Sequence, residues 1–272
     1  MNKLKRLYIF TGKGGVGKTI LSLAFTQFLQ EKNLNAKYVY FKNTKLDNSS
    51  KNYEDSINIP TNSNVEKLGL DLTECAQGYI AKKLKSKTIA SWIIKTPFFK
   101  SLINMIPGFN YLIYMGQILE LLSNDKNLVL ILDSPSTGHA QTMLEAPHNF
   151  NKIFQSGIIY DDTQKMIDLI SEKDFVHVNI ISLPTQLSLT EALELKNSIL
   201  KKQKISIETI CNNSLQSFED LRLPASLKDK IENEKKAIES NKGNIKEIIP
   251  YSKSIEINKM FEDLKSYMDS LA

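Results

Sequence analysis

The chain has 272 residues, 42% apolar and 24% charged, with 35 Lys+Arg against 30 Asp+Glu for a formal net charge of +5. This is ordinary globular usage: it excludes a disordered or collagen-like chain, and the length supports a large core without covalent staples. Cys75 and Cys211 are the only cysteines and form no CxxC, which excludes a disulfide framework or a cysteine-rich zinc site and points to a reducing, cytoplasmic setting. No apolar run approaches the roughly 18 residues of a spanning helix, so stable membrane insertion is not expected. The basic start at residues 1–6 precedes only four apolar residues, too few for a signal-peptide core.

In chain order, residues 6–10 form a short apolar run ended by Thr11-Gly12 and read as a buried strand. Residues 17–32 carry Leu21, Ala24, Phe25, Phe28 and Leu29 at helical spacing, so the period changes from strand to helix across the glycines. Residues 38–41 read as a second strand. Residues 43–125 lack a convincing strand: 43–64 are polar and loop-like, then helical patterns follow, broken at Pro97 and Pro107-Gly108. This stretch reads as a helical insertion at one edge of the sheet. Within it Leu112, Met115, Ile118, Leu119 and Leu122 share one helical face, preceded by Trp92, Ile93, Ile94, Phe98 and Phe99. Such a stripe either packs on its own domain, as amphipathic helices usually do, or receives a partner. Further strands are expected over 129–132, 176–183, 205–211 and 245–249, with helices over 187–201 and 254–271. Ser188-Leu189-Thr190-Glu191 matches a capping box. The alternation implies βαβ crossovers: an α/β fold with a mostly parallel sheet sandwiched by helices, one domain over 1–272 with the insertion at about 43–125.

Gly12-Lys13-Gly14-Gly15-Val16-Gly17-Lys18-Thr19 fits G-x-x-x-x-G-K-[ST] between a strand and a helix. Glycines let backbone N–H groups curl around phosphate oxygens, and the helix N-terminus adds its positive end. Lys18 would reach the β- and γ-phosphates of ATP, and the Thr19 hydroxyl would ligate Mg²⁺. Lys13, followed by two glycines, resembles the deviant phosphate loop of the dimeric ATPases that include the MinD/ParA partitioning proteins and the ArsA-like arsenite-pump family. That resemblance implies a lysine that crosses a dimer interface to the opposite nucleotide; the alternative is a solvated loop lysine.

A second signature follows the strand at 129–132: Asp133-Ser134-Pro135-Ser136-Thr137-Gly138-His139-Ala140. The order Asp-x-x-x-Thr-Gly-His resembles the DTAPTGH segment of the ArsA-like family, whose members include the ATPase that targets tail-anchored membrane proteins; partitioning proteins lack it. Met143-Leu144-Glu145-Ala146-Pro147, Ser182-Leu183-Pro184 and Ile210-Cys211-Asn212-Asn213 resemble later family segments in the right order. The resemblance implies that Asp133 holds Mg²⁺ or its water, that the Gly138 N–H senses the γ-phosphate, that His139 belongs to the same switch, and that Asn212 reads adenine. The alternatives are a loop histidine for His139 and a turn former or cap for Asn212.

The departures matter equally. The family's Asp-Pro-Ala after the second strand is absent, and Asp47 is the only nearby carboxylate, a solvated loop residue by default. Neither a CxxC zinc site nor a thiolate arsenite site can be built, and a single phosphate loop excludes a fused tandem. The expected protein is a cytoplasmic ATPase using ATP and Mg²⁺, forming a homodimer or a heterodimer with a paralogue, and coupled to an unidentified protein client. A nucleotide-binding regulatory protein with little hydrolysis, paired with a catalytic paralogue, is the alternative favoured by the missing switch I aspartates. A MinD/ParA-type positioning ATPase is the third reading, opposed by Thr-Gly-His and by the acidic residues Glu256, Glu262, Asp263 and Asp269 in the last helix. No nucleic-acid partner is expected, because the two critical lysines already have a nucleotide to bind.

Overall fold

The computed structural model describes residues 4–42, 64–218, 222–254 and 256–272. Seven parallel strands run in the order β3-β2-β4-β1-β5-β6-β7, with β1 (Leu7–Gly12) at the centre. Its neighbours are β4 (Val129–Asp133) and β5 (Val176–Ser182); outward lie β2 (Ala36–Phe41) and β3 (Lys67–Leu70) on one side, β6 (Ser206–Ser214) and β7 (Glu247–Pro250) on the other. Every residue of β1, β4 and β5 is buried, as expected of parallel strands covered on both faces. Alternation decides which face each residue serves: Leu7 and Ile9 join one core, Tyr8 and Phe10 the other. Helix α1 (Lys18–Glu31) and the chain's last turns, with Phe261, Met268 and Leu271, cover the Tyr8 side.

The expected helical insertion is present as α2 (Leu72–Leu84), α3 (Lys87–Lys95), α4 (Pro97–Met105) and α5 (Phe109–Asn124). It is preceded by a strand that the sequence did not announce. Lys67–Leu70 is four residues long, interrupted by Gly69, and pairs on β2 at the sheet edge; so short a run has no readable period, and edge pairing supplies its conformation. The α5 stripe faces inward, with Met115 and Ile118 fully buried and Leu112, Leu119 and Leu122 nearly so, so it packs on its own domain.

After β4 come α6 (Thr137–Phe154) and α7 (Ile158–Ser171), then α8 (Gln186–Leu200) after β5 and α9 (Ala225–Asn241) after β6. The expected capping box is corrected. Helix α8 starts at Gln186, and its N-cap is Thr185 rather than Ser188, its side chain accepting from the Ser188 N–H. Ser188 instead accepts from the Leu183 N–H at 3.0 Å and contacts Ser182 Oγ at 2.9 Å. The last helix is also split, as α10 (Ile257–Leu264) and a tighter 3₁₀ segment, Lys265–Leu271.

His177 in β5 bridges Ser206 Oγ at 2.7 Å and Asn179 Oδ1 at 3.2 Å, and burial pushes its pKa down to about 4. The unfolded chain therefore binds more protons than the fold between the ordinary histidine pKa of 6.5 and about 4, so stability falls as pH falls through that window. Urea unfolding at pH 7 and pH 5 is expected to show wild type losing about 2 kcal/mol more than His177→Gln on acidification; equal losses would remove this histidine from the acid sensitivity of the fold.

Candidate functional site

The loop between β1 and α1 is shaped by two glycines that nothing else could replace. A Cβ on Gly12 would stand 2.1 Å from the Ile181 carbonyl oxygen, and one on Gly17 2.4 Å from Asn212 Nδ2, with φ at +149° and +94°. The loop is thus wedged against β5 and the end of β6. Helix α1 opens at Lys18 without a side-chain cap, leaving its first N–H groups for an anion. The Lys18 ammonium donates to the carbonyls of Gly12 at 3.1 Å and Lys13 at 2.9 Å. Burial lowers its pKa, and the charge of Asp133 opposes that shift.

Asp133 ends β4 in register with Phe10 of β1, only 4% exposed. Its Oδ2 accepts from the Thr19 hydroxyl at 2.6 Å and from the Tyr38 phenol at 2.8 Å. Burial raises the carboxyl pKa, while these two donors and Lys18 pull it back. Tyr38 was not singled out from sequence. The β2–β4 register places it: Tyr38 pairs with Ile131, so two residues further along β4 Asp133 lies on the same face. A tyrosine buried in a strand must also find a partner for its hydroxyl. Burial and the neighbouring Asp133 together push that phenol's pKa up.

The other expected residues fall around this centre. Gly138 is the second residue of α6, where N–H groups lack intrahelical acceptors and the N-cap Ser136 offers no side-chain bond. His139 Nδ1 lies 2.8 Å from the Tyr111 hydroxyl, joining the segment after Asp133 to α5. Asn212, 5% exposed, donates from Nδ2 to the Val16 carbonyl at 2.8 Å and so braces the phosphate loop from β6. Lys13 pairs with Glu191 of α8 at 2.8 Å, a partner hidden from sequence reading by the capping-box assignment. Asp47 and most of the polar stretch at 43–64 lie outside the described residues.

Among the described residues no group of three or more His, Cys, Asp or Glu could hold a metal by itself. The hard oxygens of Thr19 and Asp133 suit Mg²⁺, which is commonly held by one or two carboxylates together with substrate phosphates. Burial pushes both cysteine thiols up to about 12, which opposes a thiolate site at either. A cavity of about 300 Å³ between α2, α5 and α7, lined by Cys75, Phe99, Leu112 and Met166, includes no phosphate-loop residue; chemistry, not volume, places the candidate site at the loop.

The family model described as anion-transporting ATPase matches residues 5–160, more than half of the chain. The matched stretch includes the phosphate loop, Asp133 and Gly138, and stops short of Glu191 and Asn212. No curated protein matches.

Replacing Tyr38 by Phe keeps the ring and strips one donor from a buried carboxylate. Unfolding free energy is expected to drop by about 1–3 kcal/mol in a urea titration; a loss below about 0.5 kcal/mol would mean that the Tyr38–Asp133 contact contributes little.

Proposed function

The chain belongs to the anion-transporting ATPase family, and from that premise we propose that it binds ATP with Mg²⁺ in the loop between β1 and α1 and closes as a dimer around it, switching an unidentified protein client. The family is one of nucleotide-hydrolysing ATPases. One observation carries the assignment of the site: the Thr19 hydroxyl meets the Asp133 carboxylate at 2.6 Å, across 114 positions of sequence, beside the Lys18 ammonium.

On this reading Lys18 exchanges its two loop carbonyls for phosphate oxygens, a gain because a charged acceptor binds an ammonium more strongly than a carbonyl does. The loop amides and the start of α1 hold the remaining phosphate charge. Thr19 and Asp133 hold Mg²⁺, the latter directly or through water; when bound, the ion would neutralise charge developing on the terminal phosphates. Gly138 presents its N–H to the γ-phosphate at the open start of α6. Asn212, besides bracing Val16, is the candidate for the adenine edge.

Lys13 completes the site of the opposite protomer. To do so it leaves Glu191, a partly exposed pair of the kind worth about 0–1 kcal/mol, so a nucleotide phosphate is a sufficient competitor. The partner is a second copy or a paralogue, and the setting is the cytoplasm. A regulatory nucleotide switch with little turnover remains the second reading, favoured by the absence of Asp-Pro-Ala after β2.

The test is ATP turnover and solution mass, with and without ATP–Mg²⁺, for wild type, Lys18→Ala and Lys13→Ala. Wild type is expected to gain mass with ATP, and both variants to lose about 100-fold or more in turnover. Wild type no faster than Lys18→Ala would end the ATPase reading and leave the regulatory one. Mass unchanged by ATP, with Lys13→Ala like wild type, would end the cross-dimer role of Lys13.

A further inference from the structure

The insertion carries a second, outward-facing chemistry unrelated to nucleotide. From Cys75 to Leu119 the sequence contains no Asp or Glu and six lysines: Lys82, Lys83, Lys85, Lys87, Lys95 and Lys100. The first two pair with Glu120 and Asp162. The other four are exposed and carry no ion pair among the described residues. Among and just after them stand Trp92, Phe98 and Met105, exposed by 69%, 75% and 77%.

Helical spacing sorts these residues. In α3, Ala90 and Ile94 face inward, leaving Ile89, Trp92 and Lys95 outside; in α4, Phe99 and Ile103 face inward, leaving Phe98 and Met105 outside. The two helices meet at the single residue Thr96, the last cap of one and the first of the other. Large apolar side chains three-quarters exposed stand proud of the surface, so they do not line a groove for an apolar helix. Flanked by lysines that carry no ion pair among the described residues, they instead match a flat, negatively charged surface with an apolar interior, and tryptophan favours such an interface.

We propose that α3 and α4 dock the protein onto the face of an anionic lipid bilayer, with Trp92, Phe98 and Met105 dipping in and Lys85, Lys87, Lys95 and Lys100 meeting the headgroups. Docking of this kind needs no spanning segment, and among the described residues no helix is long and apolar enough to cross a membrane. It stands independently of the nucleotide site.

Trp92 is the only tryptophan of the chain, so its fluorescence reports this patch alone. The full chain is titrated with vesicles of phosphatidylcholine and phosphatidylglycerol, and with phosphatidylcholine alone. The expected result is co-sedimentation, a blue-shifted Trp92 and quenching by brominated lipid on the anionic vesicles only, reversed by salt. Combined Lys→Gln replacement at 85, 87, 95 and 100 is expected to weaken binding at least about tenfold, and Phe98→Ser to weaken it while leaving the charge intact. Sedimentation with Trp92 unmoved would overturn the proposal by placing the contact elsewhere. Equal binding to neutral vesicles would overturn the electrostatic part. A blue shift that grows with protein concentration alone, with rising mass, would identify the occupant as a second copy instead.

Discussion

A carboxylate with 4% exposure stands at the junction of the sheet and the phosphate loop. Burying such a charge costs several kcal/mol unless donors surround it, and two elements have to converge on β4 to supply them. Helix α1 brings the Thr19 hydroxyl and the Lys18 charge, and β2 brings Tyr38. That convergence requires β1, β2 and β4 to lie parallel with their carboxyl ends together, which is the strand order found. The point where this charge is held is also where an incoming cation would find it.

The same geometry explains how tightly the loop is specified. Gly12 is pressed against β5 and Gly17 against Asn212 of β6, so the loop's shape is imposed by the sheet beneath it as well as by its own composition. Gly14, by contrast, has open space around its Cβ position. The Lys13–Glu191 pair then ties the loop's outer edge to α8, weakly enough to be exchanged.

Much of this was legible in the residues because it rests on strong periodicity. The buried strands and the glycine loop read directly, since apolar runs bounded by Gly and Pro leave few alternatives. What stayed hidden depended on partners distant in sequence. Lys67–Leu70 becomes a strand only by pairing with β2. Ser188 looked like a cap until Thr185 took that place and freed Glu191 for Lys13. Tyr38 needed the β2–β4 register before its hydroxyl had a destination. For Asn212 the resemblance implied a role at adenine, whereas its bond to Val16 follows from how β6 ends.

On the proposed function, Asp133 and the loop form one nucleotide–magnesium site. Calorimetric titration of ATP into the protein, in magnesium and in EDTA, addresses it most directly when repeated with Asp133→Asn. The expected result is one saturable site per chain that is tightened by magnesium in wild type, with that tightening lost in the variant. Saturable binding with the same magnesium dependence in both proteins, or no binding at all, would contradict it.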